Sequence, residues 1–451
     1  MSNSLKHNLK VTVNYQQIIK HILPLSFSLL IPQINVLVNN IFLSYLGETA
    51  LAIGGITAIY YLIFALLGLG LNNGLQNLMS KAAGQNNRRL IGILLNQAII
   101  LTLFISIVTI LITYFITPII FNTFLPQAIS IPSIEFIKIR VWGVPLLYIY
   151  QFRNSVFITL NKTKLLFWGT FAETVINILF DYGFIFGNFG LPRLGVSGAA
   201  VASILAEFVG LIIIMIIAKK FQVNKTIQFK LHLKISKKYL KEIMINAYPL
   251  MLQLLISIIS FEFFYIMIAQ LGVEALAISN LMRIVFGLVG CFCWAAGQTT
   301  NSMISNIMGQ NKQYQIIGFL KKIIFIVTIG SIIIIGLMVL FRYQILEIFS
   351  NDTLFINHAN PVFIVVVIAV FFMCFGSIAI NTLIGMGNSK FVLYAEIVTI
   401  LCYIFYVFYI VHYLRLGLVW AWTVEYVYWI LIIIICRYKI MNNLRKILKR
   451  A

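Results

Sequence analysis

The stretch from Pro24 to Asn86 occurs twice. Moved by 225 positions, it falls on Pro249 to Asn311 without a gap. Pro24-Leu25 meets Pro249-Leu250, Leu46-Gly47 meets Leu271-Gly272, and Ala50-Leu51-Ala52-Ile53 meets Ala275-Leu276-Ala277-Ile278. Ser80 meets Ser305, and Gly84-Gln85-Asn86 meets Gly309-Gln310-Asn311. A register that keeps the small and turn-forming positions over this length identifies two related halves. In an apolar chain, duplicated halves are a common plan for a transporter with its substrate between them.

The chain is apolar. Of 451 residues, 61% are hydrophobic and 10% charged, against roughly 25% charged in a soluble domain. A spanning helix needs roughly 20 apolar residues. Twelve such segments are expected, near 18–45, 50–79, 90–121, 132–158, 165–188, 196–218, 245–270, 276–305, 315–349, 359–384, 391–414 and 417–441. The expected fold is therefore an all-α polytopic membrane protein of twelve transmembrane helices. It divides into two six-helix bundles, 1–218 and 245–451, joined by a basic linker at 219–244. Met1 to Asn14 is polar, and the first apolar run is long and recurs in the second half, so it reads as part of the fold and not as a cleavable signal.

The formal charge of +21 comes from 33 basic and 12 acidic residues. The basic residues gather in alternate connections: Lys6, Lys10 and Lys20; Lys81, Arg88 and Arg89; Lys162 and Lys164; eight lysines of the 219–244 linker; Lys312, Lys321 and Lys322; and the tail with Arg437, Lys439, Arg445, Lys446, Lys449 and Arg450. That alternation is the positive-inside pattern of a bilayer protein and argues against nucleic acid as a partner. It places both termini in the cytoplasm. Lys138, Arg140, Arg193, Arg342 and Arg415 are exceptions on the other side. The five cysteines fall in or beside apolar segments and read as small buried thiols, without zinc-site spacing.

Six acids lie inside the spans: Glu173, Asp181, Glu207, Glu262, Glu396 and Glu425. A charge at mid-bilayer costs roughly 2.5–3.5 kcal/mol on insertion scales, so each asks for a reason. Glu173, Asn177 and Asp181 are spaced four and four and share one helix face. Ser203 and Glu207 are also four apart on the next segment. In the first segment Gln33, Asn35, Asn39 and Asn40 form a polar face next to Pro32. An enclosed carboxyl can exchange a proton or hold Na⁺ with its charge, which suits an ion-coupled carrier. The structural alternatives are specific. Glu173 and Glu396 sit near helix starts, where a carboxylate favours the dipole. Glu262, among phenylalanines, serves equally as a structural hydrogen-bonding group. Glu425 is either a cation-binding wall or an interfacial anchor among its aromatic neighbours. Gly84 and Gly309 read as helix C-caps. No catalytic triad, metal-ligand set or nucleotide loop is present, so neither an enzyme nor an ATP-driven pump is expected.

Several stretches resemble the MATE (multidrug and toxic compound extrusion) transporters of the multidrug/oligosaccharidyl-lipid/polysaccharide exporter superfamily. They are Asn39-Asn-Ile-Phe-Leu-Ser-Tyr-Leu-Gly47 with Ala50-Leu-Ala52; Ala277-Ile-Ser-Asn280 with Arg283; Asn177-x-x-x-Asp181 followed by Leu194-Gly-Val-Ser-Gly-Ala-Ala-Val-Ala-Ser203; and Gly387-Asn-Ser-Lys390. The resemblance covers nearly the whole chain. It implies a central cleft between two bundles and export of organic cations or amphipathic compounds in exchange for Na⁺ or H⁺. It implies a first-lobe ion site of Asn177 and Asp181, with Ser203 at the position of the family's Thr. The family's first-helix Asp falls on Asn39, which removes one carboxylate and gives Glu173 a possible substitute role. Second-lobe acids of the family include one on the seventh helix; Glu262 lies on that helix without matching the register. Gln33, Glu207, Glu262 and Glu425 are the remaining candidates for substrate or second-lobe roles. No cofactor is implied beyond the coupling ion. The partners are a small molecule and the lipid of a bacterial cytoplasmic membrane, and a monomer suffices because one chain holds both halves. The alternatives are a flippase for lipid-linked oligosaccharides, for which Arg153 is the mid-span cation, and a non-transporting scaffold.

Overall fold

The computed structural model describes residues 9–350 and 352–448. Lys6, Lys449 and Arg450 lie outside the described residues. Twelve helices follow in order: α1 Tyr15–Ser44, α2 Glu48–Gly84, α3 Arg88–Phe124, α4 in two pieces (Gln127–Arg140 and Val144–Thr159), α5 Leu166–Phe186 and α6 Val196–Lys220 in the first half. The second half has α7 Lys237–Ala269, α8 Val273–Gly309, α9 Gln315–Leu340, α10 Thr353–Gly385, α11 Ser389–Tyr413 and α12 (Leu418–Trp422 continued by Val424–Leu448). Among the described residues, ten of these are long and apolar enough to cross a membrane unbroken. The other two are α4, interrupted by a 3₁₀ turn at Val141–Gly143, and α5, which carries Glu173, Asn177 and Asp181 within 21 residues. Large apolar side chains such as Phe104, Phe115, Ile119, Ile332, Leu401 and Phe405 stand exposed on the helices, as a lipid-facing surface requires.

Local chemistry explains the repeated turns. Gly47 and Gly272 adopt φ of 100° and 108° ahead of α2 and α8, a region that excludes most side chains. At the far ends of the same helices the left-handed residues are Asn86 and Asn311, with φ of 56° and 58°. The helices stop at Gly84 and Gly309, but asparagine and not glycine makes the reversal, which corrects the expected caps. Asparagine tolerates this conformation because its short amide bonds locally. Asn87 then caps α3, its side chain accepting from Leu90 N at 3.0 Å.

The described residues form two compact units. One takes in Phe27–Met251; the other takes in the described residues of Lys10–Ser26 and Leu252–Ala451. The division falls inside α1 and α7, at positions related by the same 225-residue shift, two residues after Pro24 and Pro249. In the first unit, Gly70 and Gly74 of α2 bring it against the backbone of α7. A Cβ on Gly70 would lie 2.6 Å from Met251 Cα, and one on Gly74 2.8 Å from Ala247 Cα. Either Gly→Ala change is therefore expected to cost about 1–3 kcal/mol by overpacking, read as a lower melting temperature in detergent. Gly55→Ala on the same helix meets nothing within 4 Å and is the neutral control.

Irregular segments precede α1 and α7, and each is held by helix side chains. Ahead of α7, the buried Asn96 of α3 accepts from His232 N at 3.1 Å and donates to His232 O at 2.8 Å. Gln97 donates to Lys234 O and accepts from Ser236 N, both at 2.9 Å. Ahead of α1, Val11 N donates to Asn306 Oδ1 of α8 at 3.1 Å, Gln310 donates to Val11 O at 3.0 Å, and Lys322 of α9 donates to Val13 O at 2.7 Å. The second unit has an apolar core around Phe264, Met282, Phe363 and Trp422. There Cys293 of α8 and Cys374 of α10 form a disulfide, which corrects the reading of all five cysteines as thiols. The helices approach to 4.5 Å between these Cα atoms, within disulfide range. Cys291 and Cys436 are buried thiols, and Cys402 is an exposed one.

Candidate functional site

In the first unit, α5 turns its four-spaced polar face inward. Asp181 is 0% exposed and Asn177 4% exposed. Asn35 of α1 donates to Asn177 Oδ1 and ties the two helices together. What is left over is unusual. Both carboxylate oxygens of Asp181 are buried and accept no hydrogen bond, nor do Asn35 Oδ1 and Asn39 Oδ1, and the Asn177 amide nitrogen donates none. Buried polar atoms are nearly always paired, yet α1 and α5 carry four unmatched oxygens, on Asn35, Asn39 and Asp181, together with the unmatched Asn177 amide nitrogen. Oxygen ligands are what hard cations take. Ser203 is half-buried on α6 and does not donate to Asp181. Close α5–α6 packing is secured at Gly198, where a Cβ would lie 2.6 Å from Phe184 O. Gln33 is half-buried on α1.

Glu207 of α6 has a different environment. Arg140, at the end of the first piece of α4, pairs with it through both guanidinium nitrogens, Nη1 to Oε2 at 3.0 Å and Nη2 to Oε1. Tyr61 of α2 donates to Glu207 Oε1 at 3.1 Å, and the Arg140 guanidinium lies 3.7 Å from the centre of the Tyr61 ring. The helix break makes room: a Cβ on Gly143 would strike both Arg140 and Glu207. Glu173 is half-buried on α5, beside Gly210 of α6 and within electrostatic reach of Glu207 and Arg140. Sequence reading placed Arg140 among outer-side exceptions; the structure makes it the counter-ion of a buried acid.

In the second unit, Glu396 of α11 is 0% exposed. Its Oε1 accepts from Ser257 Oγ at 2.5 Å and Tyr428 OH at 2.7 Å, and its Oε2 from Gln253 Nε2 at 3.2 Å. Glu425 of α12 is buried and accepts from Trp429 Nε1 at 3.1 Å. Glu262 of α7 is half-buried next to Phe261 and Phe263. The second-unit acids therefore have donors or sit apart, while Asp181 accepts no hydrogen bond and forms no ion pair, though it lies within electrostatic reach of Arg140. Among the described residues no group of three or more His, Cys, Asp or Glu side chains could hold a metal ion.

Comparison with known proteins agrees with this architecture. The MatE family matches at residues 24–183 and 249–409, which begin at the two repeated prolines. A probable multidrug resistance protein NorM of Thermotoga maritima is 24% identical over 394 residues, covering 84% of this chain and 82% of that protein. One from Synechocystis is 30% identical over 173 residues, 38% of this chain and 37% of that protein's length. Among solved structures, the outward-facing conformation of a multidrug resistance MATE family transporter of the MOP superfamily superposes with a TM-score of 0.88 at 18% identity, covering 100% of this chain and 99% of the other. The chain belongs to the MatE family of membrane transporters and is not an enzyme.

Proposed function

We propose that the protein is a secondary active exporter, expelling organic cations or other amphipathic small molecules in exchange for Na⁺ or H⁺ by alternating access. The observation that carries the ion coupling is Asp181, an enclosed carboxylate whose two oxygens receive no donor. A buried charge without a partner is costly, and a cation is its complement. Asn35 and Asn39 supply neutral oxygens, and the Asn35–Asn177 hydrogen bond fixes α1 against α5. With Asn39 in place of a second acid, the cluster carries one negative charge, so one monovalent cation or one proton balances it. Ser203 and Glu173 line the neighbouring surfaces of α6 and α5. Gln33, Glu207, Glu262 and Glu425 stand as substrate-facing or second-lobe candidates, with Glu207 the one already neutralised by Arg140. The transporter works as a monomer in a bacterial cytoplasmic membrane, both termini in the cytoplasm, with no nucleic-acid partner.

Arg153 weighs against the lipid-linked oligosaccharide flippase. It is 2% exposed, donates to Asn224 Oδ1 at 2.7 Å and lies over Phe229, 4.7 Å from the ring centre. The segment ahead of α7 thus covers the cation that a pyrophosphate would need. The test is efflux of a fluorescent lipophilic cation from proteoliposomes under an imposed Na⁺ gradient and then a proton gradient. Efflux driven by one gradient is expected and names the ion. Efflux under neither overturns the reading.

A further inference from the structure

In both halves the fifth helix meets the first through polar side chains and carries a fully buried acid. In the first half these are α5 and α1, joined by Asn177 and Asn35. In the second they are α11 and α7, joined by Glu396 with Gln253 and Ser257. The two acids differ in what surrounds them. Asp181 accepts no hydrogen bond, whereas every hydrogen-bond partner of Glu396 is a donor. Three donor hydrogens converge on one carboxylate, so a metal cation would have to displace them, whereas a proton can be taken up within the same set of hydrogen bonds. The arrangement favours a proton over Na⁺.

Ser257 makes the exchange feasible. Its hydroxyl carries one hydrogen and has two acceptors: Glu396 Oε1 and the carbonyl of Gln253, one turn back in α7, at 2.9 Å. When Glu396 is ionised, that hydrogen points to Oε1. When a proton adds to Oε1, the Ser257 hydrogen turns to the Gln253 carbonyl, and the new carboxyl O–H donates to Ser257 Oγ. One O–H bond forms, one hydroxyl rotates, and Tyr428 and Gln253 keep their bonds. No buried group is left unpaired in either state, which removes the usual penalty for changing protonation in a closed site. Ser257 and Tyr428 are half-buried while Glu396 is fully buried, so the two hydroxyls stand between the acid and its less enclosed surroundings.

We propose that Glu396 is a second coupling site, a proton-exchange site in the second unit switched by the Ser257 hydroxyl. This rests on reading the protein as an ion-coupled exporter. The titratable groups that interact electrostatically with it are Tyr428 and Cys436 of α12; Glu425 of α12 acts in turn on Tyr428, and Tyr403 of α11 and Glu262 and Tyr265 of α7 stand farther along the same helices. No lysine, arginine or histidine forms an ion pair with Glu396 among the described residues.

The test is a pH titration of the purified full-length protein followed by infrared difference spectroscopy of carboxyl groups. It needs no substrate flux. A protonated-carboxyl band is expected to titrate in the wild type and in Asp181→Asn, and to be missing from Glu396→Gln. Ser257→Ala keeps the acid and the fold but removes the two-way hydroxyl, so its band is expected to titrate with proton affinity changed about tenfold or more. A band unaltered in Glu396→Gln overturns the site. An unaltered titration in Ser257→Ala overturns the switch. A response to added Na⁺ at fixed pH overturns the choice of ion. If the band behaves as expected but no gradient drives efflux in liposomes, the proton site stands and the exporter reading fails.

Discussion

Asp181→Asn is expected to reduce ion-driven efflux about 100-fold, toward the upper end of ordinary coupling free energies, without lowering the melting temperature. The two halves of that expectation come from the same observation. The carboxylate accepts no hydrogen bond and forms no ion pair, so removing its charge breaks neither and loses only the longer-range attraction of Arg140. It relieves the desolvation of an unpaired buried charge, and stability is expected to stay level or rise. The coupling ion, however, loses its only full negative charge in the cluster, since Asn35, Asn39 and Asn177 are neutral. Efflux in liposomes and thermal unfolding in detergent, measured on the same preparation, check both halves. A variant that transports as well as wild type, or that melts well below it, would show that Asp181 is a packing residue.

Arg140→Ala should do the opposite. It strands Glu207 in a site where Arg140 supplies both charge-assisted bonds and only Tyr61 remains as a donor. Breaking a buried pair from one side costs about 3–5 kcal/mol, while replacing both partners with apolar residues of similar size is often neutral. The single change is therefore expected to lower the melting temperature strongly, and Arg140→Met with Glu207→Leu to recover most of the loss. A double-mutant cycle in detergent measures this. Additive single effects would mean that the two side chains do not act on each other.

Much of the fold was legible because its signals are local. Hydropathy marks the spans, glycine and asparagine mark the turns, and a gapless repeat ties the halves together. The inward face of α5 was legible too, since Asn177 and Asp181 are spaced at one helical turn. Pairings across long separations were not. Arg140 stands next to a helix break and reads as a boundary charge; its partner is 67 positions away. Asn96 and Gln97 look like incidental amides in an apolar helix until residues 232–236 are seated on them. Cys293 and Cys374 gave no spacing cue. Ser257 signalled only a small polar residue, and its two acceptors emerge once α7 and α11 are packed together.

The segments ahead of α1 and α7 carry a consequence for the chain as a covalent object. The leader of the first half is bound by side chains of the second half, at Asn306, Gln310 and Lys322, and the leader of the second is bound by Asn96 and Gln97 of the first. This is the pattern of an arm-exchanged dimer whose two protomers have been fused end to end. Neither half seats its own arm. Cut between the halves, each piece would keep an arm with no seat and a seat with no arm, and would complete its packing only in the presence of the other.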